Sequence, residues 1–170
     1  MMVSMIILVI SFFLDGILTN FLPYTVGDLS LFTPMITIVA LVIIYPFFVK
    51  RLRFYFITCF VTGIVYDFFY TNLLFYNAIL FLGIGCITLL LERFVRRNWL
   101  SVLLFIFVAI VGYECMNAVI ILIFQLVPMN FERLFYKITH SLLLNLCYGE
   151  ILYFIIWLLP ERFKRISLNS

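Results

Sequence analysis

Six long apolar segments, separated by short polar connections, constrain the fold of this chain more than any other feature. A helix needs about 20 mostly apolar residues to cross a hydrocarbon core of ~30 Å, and each segment is of about that length. Because 66% of the 170 residues are hydrophobic and 11% are charged, the chain is too apolar for a soluble domain. The pattern predicts an all-α membrane protein, a bundle of six transmembrane helices, with no room for a soluble catalytic domain.

The predicted spans form one transmembrane domain, residues 1–170. Pro34 falls in the first turn of the second span, where its missing N–H costs little. The fifth segment is long for one crossing, so we expect tilt or a local break there. The expected spans are Met2–Leu22, Leu31–Val49, Phe54–Tyr70, a fourth from the Thr71–Asn77 turn to Leu91, Trp99–Leu126 and Leu134–Leu159.

Lysine and arginine fall almost entirely on one side of this predicted topology. Only Arg133 and Lys137 lie on the other side. The positive-inside rule therefore predicts a multi-pass protein of the cell membrane with both termini in the cytoplasm. The cations on the predicted cytoplasmic side are Lys50, Arg51, Arg53, Arg93, Arg96, Arg97, Arg162, Lys164 and Arg165.

Five ionisable side chains fall inside the predicted spans, where charge is unfavourable unless it faces protein or a cavity. At 1.5 Å per helical residue, Asp15, Asp67, Glu114 and His140 share one level between the middle and the outer surface. Glu150 lies closer to the cytoplasmic side.

Polar side chains recur at helical spacing on the last two spans, which predicts a polar seam with Glu114 and His140 as candidate partners. Such a seam either joins helices by hydrogen bonds or forms a ligand or proton site. The stripes are Glu114, Asn117 and Gln125 on the fifth span, and Lys137, His140, Ser141, Asn145 and Tyr148 on the sixth.

The sequence argues against catalysis. His140 is the only histidine, and Ser141 points ~100° around the helix from it, so the two cannot act as base and nucleophile. The basic residues form short clusters beside apolar runs, which is a membrane pattern rather than a nucleic-acid pattern. We therefore expect no enzymatic activity, no catalytic residues, no metal, no cofactor and no nucleic-acid partner.

Two stretches carry a family resemblance. From Gly63 through Asp67 to Asn77-Ala78, the chain resembles the rod-shape-determining family MreD, which has a Gly-x-x-x-Asp pattern before a turn and an Asn-Ala-like start to the fourth span. The stretch 136–145 resembles the last span of its shorter members. Many members have a glycine after the turn, where this chain has Leu74 and Phe75.

The resemblance implies a non-enzymatic subunit of the cell-elongation machinery for peptidoglycan. The expected partner is MreC, and through it MreB filaments and the wall-synthesis transpeptidase and glycosyltransferase. A homodimer is a further option. The family fold resembles the substrate-binding subunit of energy-coupling-factor transporters, so the rival hypothesis is a vitamin-capture subunit with an outward pocket.

Asp67 is the sharpest candidate, because the C-terminal end of a helix disfavours an anion. We expect it to have a specific donor, such as Asn77 across the turn, and Asp67→Asn to be tolerated if its role is hydrogen bonding. Gly63 and Cys59 make a small-residue face for internal packing or for a partner helix. The structural or partner-binding candidates are Gly63, Asp67, Asn77, Glu114, Asn117, His140 and Asn145.

Overall fold

Six α-helices follow one another in the computed structural model, which describes residues 2–21, 25–26, 29–30, 34–71, 73–124 and 131–158. Besides the helices, these residues include a short antiparallel pair, β1 (Thr25–Val26) and β2 (Leu29–Ser30). The helices are α1 (Met2–Phe21), α2 (Ile36–Ile44), α3 (Leu52–Tyr66), α4 (Tyr76–Phe94), α5 (Trp99–Ile123) and α6 (Phe131–Leu158).

Four helical stretches of the described chain are long and apolar enough to cross a membrane: Leu52–Thr71, Tyr76–Phe94, Trp99–Ile123 and Leu134–Leu158. Two shorter apolar helical stretches are Val3–Thr19 and Ile36–Phe48. The predicted class, an all-α membrane protein, is therefore confirmed.

Helix α2 is the buried centre of the protein. Each of its nine residues is buried, and it packs against α1, α4, α5 and α6. Its sequence, ITIVALVII, is rich in β-branched residues that favour strands in water. In an apolar bundle, however, each backbone polar group needs a partner, and an α-helix supplies nearly all of them within the segment.

The predicted bounds of the second span were wrong at its start. The described helix begins at Ile36 rather than Leu31, and Pro34 precedes it instead of lying in its first turn. A tighter 3-10 turn, Tyr45–Phe48, continues the helix because Pro46 cannot donate the next α-helical hydrogen bond. Together they span about 20 Å, less than the hydrocarbon thickness.

The long fifth helix runs without a break from Trp99 to Ile123, so the expected local break is absent from the described part of this span. Consecutive helices from α3 to α6 pack on one another through short connections, which makes them antiparallel neighbours. The connections 49–51 and 95–98 therefore lie at one end, which we call the basic end. The connection between α3 and α4 lies at the other, which we call the turn end.

Candidate functional site

The carboxylate of Asp67 lies at the N-terminus of α4, although Asp67 itself belongs to the end of the preceding helix. Its two oxygens accept the Asn77 backbone N–H at 2.9 and 3.1 Å, and Oδ2 accepts the Ala78 N–H at 3.3 Å. The first N–H groups of a helix lack internal partners and carry the positive end of its dipole. The α4 N-terminus therefore stabilises an anion of which only 1% is exposed.

Side chains complete this cap. The Asn77 amide and the Thr71 hydroxyl each donate to Asp67 Oδ1 at 2.9 Å, and the Tyr113 hydroxyl donates to Asn77 Oδ1 at 2.9 Å. Asn77 is thus the donor that the position of Asp67 predicted. It lies inside the first turn of α4, and not in the preceding turn as the sequence indicated.

Gly63 brings the two helices together one turn before Asp67. A Cβ atom at Gly63 would lie 2.6 Å from the backbone nitrogen of Ala78 and 2.7 Å from the carbonyl oxygen of Asn77, both closer than real contacts allow. Cys59, one turn earlier, approaches α4 at Gly85. The small-residue face of α3 is therefore occupied by internal packing and is not open to a partner helix.

The chain changes conformation between the two helices. Asp67–Thr71 is a π-helical turn, a rare geometry that is frequent at functional sites. Phe75, directly before α4, has φ of 67°, the left-handed region that favours glycine. Phe75 therefore adopts, under backbone strain, a conformation that favours glycine.

A second carboxylate, Asp15 of α1, caps the N-terminus of α2. Its Oδ1 accepts the Ile36 N–H at 2.6 Å and its Oδ2 accepts the Thr37 N–H at 2.8 Å, together with the Thr37 hydroxyl. Asn145 of α6 accepts the Met35 N–H at 2.8 Å. The backbone N–H groups at the buried N-terminus of α2 have no partner within the helix, and side chains of α1 and α6 thereby satisfy them.

The opposite end of α2 is bound by a cation. Pro46 has no N–H, so the carbonyl of Val42 lacks its α-helical donor. Arg97 Nη2 donates to the carbonyls of Val42 and Ile43 at 3.3 Å, and Nη1 forms an ion pair with Glu92. Burial lowers the pKa of Arg97 from its ordinary value and Glu92 opposes that shift, so the guanidinium stays charged. A cation at a helix C-terminus is favourable.

A small cavity of about 120 Å³ lies beside the N-terminus of α2. Asp15 and Glu114 both line it, and Glu114 is 2% exposed. Asn117, which also lines it, accepts the Tyr76 hydroxyl. The remaining lining residues are Pro34, Met35, Ile38, Tyr66, Phe81 and Tyr113.

The described members of the predicted polar seam face the centre of the bundle. Asn145 reaches the α2 N-terminus, while the hydroxyls of Tyr148 and Ser11 share a hydrogen bond of 2.7 Å between α6 and α1. The side chain of His140 lies outside the described residues, as does Gln125, so its pairing with Glu114 stays a prediction. The seam on α5 reaches the cavity through Glu114 and Asn117.

Sequence reasoning missed three contributors. The sequence places Asp15 inside the first span but does not identify it as a site residue, because its partners lie 21 and 22 residues further along the chain. The sequence does contain a signal that Tyr113 belongs to the site, since it shares a helix face with Asn117 four residues later. In the sequence, Arg97 indicated only the orientation of the spans. Pro46, however, already implied that the carbonyl four residues earlier, that of Val42, needs a donor from elsewhere.

The donors and acceptors of the site are used for helix capping. Among the described residues, no group of three or more His, Cys, Asp or Glu side chains could hold a metal ion. Comparisons with protein-family models, with curated protein sequences and with solved structures found no match.

Proposed function

We propose that this chain is a non-enzymatic membrane subunit of the bacterial rod-shape machinery, of the MreD type, with MreC as its direct partner. The observation that supports the proposal most is the Asp67 cap. Gly63, Asp67, Asn77 and Ala78, the residues that carry the family resemblance, form one contact unit between α3 and α4. Glycine permits the close contact of the two backbones, aspartate accepts the hydrogen bonds of the helix end, and the asparagine side chain donates one more.

The use of the buried polar groups also supports a scaffold. Asp15, Asp67, Asn145 and Arg97 use their hydrogen bonds to satisfy helix ends, which makes the bundle rigid. A subunit that holds other proteins in place needs such rigidity and needs no catalytic centre.

The rival function, vitamin capture, has one observation in its favour, the cavity beside Asp15 and Glu114. Its volume of about 120 Å³ is well below the roughly 300–1,000 Å³ typical of pockets that enclose a small-molecule ligand. We therefore favour the shape-machinery function. A tight thermal shift with a water-soluble vitamin would reverse this preference.

The decisive experiment is depletion of the protein together with affinity purification of a tagged copy in mild detergent. We expect elongated cells to become round and swollen, and MreC and wall synthases to co-purify. Normal cell shape after a clean deletion, or co-purification of transporter ATPases, would contradict the proposal.

The proposed topology, six spans with both termini in the cytoplasm, has its own test. Reporter fusions after Asp28, Thr71 and Asn130 should read as external. Fusions after Arg53, Arg97 and Ser170 should read as internal, because the cations cluster on that side. A single inverted site would show that a span has been miscounted.

A further inference from the structure

A second, larger cavity of about 800 Å³ opens at the basic end, between the start of α5 and the last turns of α6. Both tryptophans of the chain, Trp99 and Trp157, line it, and they are 57% and 60% exposed. Tryptophan is enriched where hydrocarbon meets lipid headgroups. The two tryptophans therefore favour a position of the cavity at headgroup level, where lipids have access to it.

Glu150 lines the same cavity and has an unusual environment. Its Oε1 atom is buried, and no donor within the part of the chain that the structure describes forms a hydrogen bond with it. A buried carboxyl oxygen without a donor is unfavourable, and buried polar atoms in native proteins nearly always have partners. The atom therefore marks the place of a missing donor.

The nearest cation of the cavity wall does not fill that place. Arg97 directs its guanidinium to Glu92 and to the α2 carbonyls of Val42 and Ile43. The rest of the wall is largely apolar, with Phe154 and Leu100 beside the tryptophans. A molecule that complements this wall brings a donor for Glu150 together with an extended apolar part.

We propose that this cavity binds an aminophospholipid whose primary ammonium group donates to Glu150. An ammonium group offers three N–H donors, whereas the quaternary choline headgroup offers none. Asn98 and Ser101, also at the cavity, carry the donors that a phosphate needs, and the acyl chain lies along Trp99 and Trp157. This inference does not depend on the proposed function.

The two tryptophans make the site directly observable, because bromine on a lipid chain quenches nearby indole fluorescence. The full chain is placed in nanodiscs of phosphatidylcholine and titrated with brominated phosphatidylethanolamine, phosphatidylcholine or phosphatidylglycerol that carry identical chains. A charge-assisted hydrogen bond predicts phosphatidylethanolamine binding roughly tenfold tighter than phosphatidylcholine. Water-soluble phosphoethanolamine should not compete, because it lacks the apolar part.

The matched variants are Glu150→Gln and Glu132→Gln, the latter exposed at the other end of α6. We expect Glu150→Gln to abolish the preference and Glu132→Gln to retain it. A preference retained by Glu150→Gln would overturn the proposal.

If the Glu150→Gln variant fails to fold, the unaltered protein provides a second test. Adding one, two and three N-methyl groups to the lipid amine should weaken quenching stepwise, since each removes a donor. Equal quenching by every headgroup would overturn the proposal. That result is expected if Glu150 is neutral or if a basic segment of another protein occupies the cavity.

Discussion

Asp15 and Asp67 are both buried carboxylates that cap a helix N-terminus, but their partners lie at different distances along the chain. Asp67 binds Asn77, ten residues later in the first turn of the next helix, so its contacts are local. Asp15 binds a helix that starts 21 residues later, at the centre of the bundle. Each neutralises the positive end of a following helix, but only Asp67 belongs to a contiguous motif.

The difference shows how an apolar bundle accommodates charge. In both places the carboxylate replaces water as the acceptor for helix N–H groups that hydrocarbon cannot satisfy. Thr71 and Asn77 support Asp67 from the turn end, whereas Thr37 supports Asp15 from within α2. The central cap thus depends on the assembled bundle, and the turn cap depends mainly on one helical hairpin.

The largest expected effect is that of Asp15→Leu. The N–H groups of Ile36 and Thr37 and the Thr37 hydroxyl would be left buried without an acceptor, so the free energy of unfolding should fall by about 4 kcal/mol. Thermal unfolding of the detergent-purified protein measures this change. Thr19→Val, on the exposed side of the same helix, is the control and should cost less than ~0.5 kcal/mol. An unfolding temperature unchanged in Asp15→Leu would refute the central cap.

Asp67→Leu should cost somewhat less, about 3 kcal/mol, because the Asn77 amide keeps the Thr71 hydroxyl as an acceptor at 3.5 Å. Both oxygens of Asp67 accept backbone N–H groups, so Asp67→Asn places an NH₂ against a donor. We therefore expect a loss of about 1 kcal/mol for Asp67→Asn, which sharpens the sequence-based expectation that it is tolerated. The same unfolding assay decides, and a larger loss for Asp67→Leu than for Asp15→Leu would reverse the ranking.

Gly63→Ala tests whether the turn cap needs close contact of the backbones. The added methyl group meets the backbone of Asn77 and Ala78, which cannot rotate away, so we expect a loss of about 2 kcal/mol. Gly83→Ala is the control, since its methyl group meets only the flexible side chain of Met116. Equal unfolding temperatures for the two variants would show that α3 and α4 can separate without cost.

The smallest expected effect is a gain. Phe75→Gly removes left-handed strain of roughly 1–2 kcal/mol but adds chain entropy and loses the ring that stacks on Phe60 at 6.3 Å. The net result should be a rise of about 0.5 kcal/mol in the free energy of unfolding. Phe75→Ala keeps the strain and loses the ring, so it should be less stable than wild type; a more stable alanine variant would argue against strain.

The order of elements could be predicted from the sequence because each apolar segment must satisfy its own backbone in lipid. Because that requirement acts locally, the sequence predicted the bounds of α1, α3, α5 and α6 to within a few residues. The Asp67–Asn77 contact was predictable for the same reason, since the two residues flank a single turn.

The tertiary structure alone decided the rest. The central position of α2 and the binding of its two ends by Asp15 and Arg97 depend on which helices surround it, and apolar segments of similar composition carry little information about their neighbours. Packing likewise decided which group Asn145 binds, because a polar stripe shows which side of α6 is buried but not which helix covers it. Those contacts join residues 21 to 110 positions apart, and their energy appears only when the bundle closes.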